Sequence, residues 1–102
     1  MLTIIKRIQI HKNLQDINLS NNSCRGQFSE EISNSIFFLL KIYDNKLRHI
    51  DVSHMGFNED EVLKIAGGVI QSKSLQSIHL TGNQVNDLKY IYPKKLKKVL
   101  QP

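Results

Sequence analysis

Nine polar residues stand two apart in three groups: Asp16, Asn18 and Ser20; His49, Asp51 and Ser53; Ser77, His79 and Thr81. Their types admit two chemistries. Two imidazoles and a carboxylate suit zinc, so His49, Asp51 and His79 could serve one ion if the chain gathers them. Ser53, His79 and Asp51 are the residue types of a hydrolytic set. Neither set comes with the rest of its machinery. Nothing in the sequence builds an oxyanion hole or implies the outer hydrogen-bonding shell that orients metal ligands. "AGG" at 66–68 lacks the following Lys-Ser/Thr of a phosphate loop, and there is no paired-cysteine metal motif. The sequence thus carries no signature of an enzyme and calls for no cofactor. What remains is a set of polar side chains suited to a solvated face that a protein partner can reach.

The elements that must hold these residues repeat. "LQDINLSNNSC" (14–24), "LRHIDVSHMGF" (47–57) and "LQSIHLTGNQV" (75–85) align without gaps. Four columns are apolar in every copy: Leu14/Leu47/Leu75, Ile17/Ile50/Ile78, Leu19/Val52/Leu80 and Cys24/Phe57/Val85. A fifth column holds Asn22, Met55 and Asn83. The middle of each copy alternates as a half-buried strand does, and the end breaks into a turn. Cys24, in an apolar column, reads as a buried small hydrophobe and not as a reactive thiol. Between the copies the pattern is helical. Asn58 and Glu61 match a capping box, and Val62, Ile65, Ala66, Val69 and Ile70 follow at helical spacing. Ser29 with Glu30 and Glu31 marks the other helix start, with Ile32, Ile36, Leu39 and Leu40 as its stripe. Phe28, Phe37, Phe38 and Phe57 are expected to fill core, and Gly67 and Gly68 to permit close backbone approach.

These stretches resemble the leucine-rich repeat, L-x-x-L-x-L-x-x-N-x-L, over nearly the whole chain. The 28 residues from Leu47 to Leu75 are similar to the ribonuclease-inhibitor-like class of that family. The resemblance implies an α/β fold, a right-handed solenoid with a short parallel sheet on the concave side and helices on the convex side. It implies one domain over 1–102: a partial repeat at 1–13, repeats starting at 14, 47 and 75, and the start of a further repeat near 96. The first spacing is 33 residues, and its five extra residues are placed near "KIYDNK". The turn asparagine is expected to satisfy buried backbone groups. Met55 cannot, so a local distortion or an ordered water is expected there. The outward row then lines the concave face, with Asp51 beside His79 and near Asn18.

The ends and the charge complete the reading. Ile4, Ile5 and Ile8 match the helical stripe of an earlier unit, and Leu96, Val99 and Leu100 match the start of a later one. Both ends are therefore expected to be apolar and covered, by further repeats or by a different subunit. Formal charge is +5, yet Lys89, Lys94, Lys95, Lys97 and Lys98 carry all of it and the first 88 residues are neutral. That argues against nucleic acid as the main partner; Tyr90, Tyr92 and the tail lysines keep an RNA-binding surface as the alternative. No apolar run is long enough to span a bilayer. A single cysteine fits a reducing compartment, so the expected setting is cytoplasmic, in a protein complex of cytoskeletal or ciliary type among others.

Overall fold

A computed structural model describes residues 14–22, 28–41, 46–84 and 98–101. In chain order these form β1 (Asp16–Asn18), α1 (Ser29–Lys41), β2 (His49–Asp51), α2 (Glu59–Gln71), β3 (Ser77–His79) and β4 (Leu100–Gln101). The strands make one sheet in the order β1-β2-β3-β4. Every pairing is parallel. A parallel pair needs a long crossover, and α1 and α2 supply the two that are described. The fold is α/β.

Alternation decides which way each strand faces. Ile17, Ile50 and Ile78 pair in register and are buried, with their sequence neighbours turned to the other face. Leu19 and Leu80 are buried as well. The same core takes Ile32, Ile36, Leu39 and Leu40 from α1 and Val62, Ile65, Ala66 and Val69 from α2. Helices and sheet thus share one apolar layer. At the start of α2 Asn58 Oδ1 accepts from Glu61 N–H while Glu61 Oε1 accepts from Asn58 N–H, each at 2.9 Å. This is the capping box in full. Gly68 has a packing reason: a Cβ there would lie 3.1 Å from the Phe37 carbonyl oxygen and the Leu40 Cβ. A side chain there would need the neighbouring helix to give way slightly.

The aromatic expectation is half right. Phe57 is buried, but Phe28 and Phe38 are 53% and 54% exposed. At 3.6 residues per turn Phe38 falls on the side opposite Ile36 and Leu40, so it cannot reach the core. The five extra residues are also placed differently. Ten residues separate β1 from α1 and seven separate β2 from α2, while seven and five follow the helices. Three of the five therefore lie before the helix and two near "KIYDNK".

At the far edge, β4 pairs Leu100 with Ile78, one residue later than the repeat alignment predicts. Val99 is buried at 6% and Leu100 packs against the core. These two are covered and do not form a bare apolar end. Ile4, Ile5, Ile8, Cys24, Tyr90, Tyr92, Leu96, Lys89, Lys94, Lys95 and Lys97 lie outside the described residues; Lys98 is exposed. Among the described residues no helix is long and apolar enough to cross a membrane.

Candidate interaction face

The outward residues of the strands line up across the sheet. Asp16, His49 and Ser77 share one rung; Asn18, Asp51 and His79 share the next. Asp51 does sit between Asn18 and His79. Asp16, Asn18, His49, Asp51 and His79, with Ile17 and Ile50, line a shallow open hollow of about 270 Å3. Asp51 and His79 are half-buried and not fully exposed, because each lies inside the sheet with a strand on either side.

Hydrogen bonds fix the rows. Asn18 Oδ1 accepts from the Ser20 amide at 2.9 Å and the Ser20 hydroxyl at 2.6 Å. Asp51 Oδ1 accepts from the Ser53 amide at 3.0 Å and the Ser53 hydroxyl at 2.6 Å. The same device closes two successive strands, since short side-chain acceptors take the amide two residues on. In the third copy His79 and Thr81 hold these places. His49 Nδ1 and the Ser77 hydroxyl share a hydrogen bond of 2.6 Å, and His49 Nε2 lies 4.0 Å from Asp16 Oδ1.

Burial pushes the Asp51 carboxyl up, but the Ser53 hydroxyl and amide and the charges of His79 and His54 outweigh it. The net effect holds Asp51 below the ordinary aspartate value. This carboxylate is kept ionised and held in place.

Neither catalytic-type arrangement is assembled among the described residues. Ser53 donates to Asp51 directly, whereas a hydrolytic serine must donate to the imidazole. Among the described residues no three His, Cys, Asp or Glu converge on a point where a metal could sit, and the His49 ring is turned to Ser77. The His49 and Asp16 side chains are 49% and 75% exposed. Water reaches this rung freely, so it offers no dry reaction centre.

Past the strands the ladder continues into the turns. Leu19 N–H donates to Asp51 O and Val52 N–H to His79 O; Asn21 N–H donates to Ser53 O and His54 N–H to Thr81 O. Each junction between units repeats the other. One column of this turn escapes the apolar pattern: Asn21, His54 and Gly82 all have positive φ, at 63°, 54° and 82°. The signal was present in the residue types, because Asn, His and Gly are the ones most often found there. The His54 ring lies where a Gly82 side chain would be, with Nδ1 only 2.1 Å from an ideal Cβ. A side chain at Gly82 would thus meet backbone strain and would also have to displace the His54 ring.

The Met55 turn finds its partner in the next unit. Asn83 Oδ1 accepts from the amides of Met55 (3.3 Å) and Phe57 (3.0 Å), and Asn83 Nδ2 donates to Val52 O (2.9 Å) and Leu80 O (3.0 Å). One carboxamide serves two units, and Met55 is free to be wholly buried.

None of the curated proteins compared with the chain matches it. A family model, Leucine Rich Repeat, matches residues 13–35, which run through β1 and into α1. Those residues carry a leucine-rich repeat, a unit that generally mediates contacts between proteins.

Proposed function

We propose that the chain is a non-catalytic protein-binding or scaffold module, a leucine-rich-repeat solenoid of the 28-residue, ribonuclease-inhibitor-like class. Its concave face is the outward side of the sheet. Asp16, Asn18, Ser20, His49, Asp51, Ser53, Ser77, His79 and Thr81 form the contact surface there. The observation that carries this reading is the in-register polar row, held by short hydrogen bonds and open to water. Pre-set polar groups lower the ordering cost of association. Among the described residues nothing pairs with the outer edge of β1, and Leu14 is 37% exposed although its column mates Leu47 and Leu75 are 2% and 7% exposed, which supports a further unit or another subunit over that edge. The lone cysteine supports a cytoplasmic setting; a cytoskeletal or ciliary assembly is one such place.

The test compares proteins captured from source-cell lysate by the wild-type chain and by Asp16→Lys with His49→Glu. These two residues are exposed, so melting temperature should be unchanged. A partner lost about tenfold or more in the variant is the expected result. The reading fails if no captured protein depends on the face. Salt-sensitive binding of a single-stranded oligonucleotide would instead favour the tail lysines Lys94, Lys95, Lys97 and Lys98 as an RNA surface.

A further inference from the structure

The outer side of the helix layer holds a second cluster that the sheet does not explain. Phe37 and Phe38 meet edge to face, with ring centroids 5.3 Å apart and planes at 73°. Lys41 Nζ lies 5.7 Å and Lys64 Nζ 4.7 Å from the Phe37 centroid. Both distances are within cation–π range. Two ammonium groups from different helices therefore share one ring. Neither pairs with a carboxylate among the described residues. Gathering like charges is unfavourable, and an anion placed between them would offset that cost.

Packing does not account for Phe38. The stripe of α1 is already complete with Ile32, Ile36, Leu39 and Leu40, yet Phe38 stands 54% exposed. Beside Phe37 lies Gly67, whose absent Cβ would make only an ordinary 3.7 Å contact with the ring. Phe37 itself is half-buried. An exposed apolar surface rimmed by charge marks a contact site.

The charge order along the helices selects the class of partner. Toward their N-terminal ends the surface turns acidic, with Glu30, Asp60 and Glu61 lining a hollow that Lys64 also borders. A uniformly anionic partner, such as a lipid surface or a nucleic-acid backbone, would meet these carboxylates together with the lysines. A polypeptide can set its acidic residues against Lys41 and Lys64 alone. We infer that Phe37, Phe38, Lys41 and Lys64 form a second docking surface, which takes an acidic protein segment carrying an apolar anchor residue.

The experiment is a titration of the isotope-labelled full chain, followed by nuclear magnetic resonance, with four probes. They are a short synthetic peptide of Glu and Leu, its Lys and Leu counterpart, phosphatidylserine–phosphatidylcholine vesicles, and a single-stranded oligonucleotide. The Glu–Leu peptide should shift the amides of Phe37, Phe38, Lys41, Lys64 and Gly67, and leave those of His49 and Asp51 unmoved. That second condition separates this surface from the sheet face. Affinity should fall about tenfold or more in the Lys41→Glu, Lys64→Glu double variant, and also in Phe38→Ser, with unchanged melting temperatures. The proposal is overturned if the wild-type amides do not move, if charge reversal leaves affinity intact, or if the Lys–Leu peptide, the vesicles or the oligonucleotide bind this surface instead.

Discussion

Asn22 and Asn83 occupy the same column of the repeat and do different work. Asn22 is exposed and, among the described residues, bonds within its own turn, donating from Nδ2 to Leu19 O at 2.9 Å and Ser20 O at 3.2 Å. Asn83 is half-buried and makes four bonds, three of them to the unit before it. The donation to Leu80 O matches the one to Leu19 O, so the local half of the role is shared. Asn83 also reaches a described neighbour, a turn whose own column residue is Met55, which has no side-chain carboxamide to pair the backbone groups there. A motif position defines a place, and its energetic weight depends on the backbone groups it reaches.

Three experiments would break or sharpen this contrast, measured as changes in unfolding free energy. The largest effect is expected at Met55. Its side chain is wholly buried, and Met55→Ala should cost about 2–5 kcal/mol through the cavity left behind. The amide that donates to Asn83 is untouched by this change, so a loss near zero would mean the site collapses without consequence. Next comes Asn83→Ala, at about 1–3 kcal/mol, because the amides of Met55 and Phe57 lose their acceptor inside the fold. Asn22→Ala should cost less than about 0.5 kcal/mol, since water replaces its bonds. Equal losses at Asn22 and Asn83 would abolish the distinction.

The smallest effect concerns Asp51 and Asn18, which close their strands in the same way. Asp51→Asn copies the first unit into the second and should be nearly neutral to stability in acid, once the aspartate is protonated. Asp51 has a lowered folded-state pKa. Its stabilising contribution is therefore complete above the unfolded aspartate pKa of about 4 and is lost as pH falls through the lower folded value. The wild-type melting temperature should exceed that of Asp51→Asn at pH 7, and the gap should close in acid. A gap that widened on acidification would contradict the assigned direction.

Much of this was legible in the residues. Ile17, Ile50 and Ile78 alternate with polar neighbours, and a period of two leaves one choice of face. The stripe from Val62 to Val69 and the Asn58–Glu61 cap are local patterns with local causes. The rung from Asn18 through Asp51 to His79 followed once the three copies were aligned. Other features depend on distance in space. Asn83 reaches Val52, 31 positions earlier, and no local pattern announces that. Phe38 misled because aromatic residues usually go inside, although its angle on the helix already pointed outward. Loop lengths misled for a different reason: residues between elements have no period, so the five extra ones could not be divided correctly.

The reach of Asn83 also has a meaning in time. A chain is made from its N-terminus, and the amides of Met55 and Phe57 precede their acceptor by 28 and 26 residues. During synthesis, and during any refolding in which the third strand arrives late, these amides must face water or a makeshift partner. The middle turn is thus finished by its successor. Damage near residue 83 would be felt upstream, at a loop that is itself unaltered.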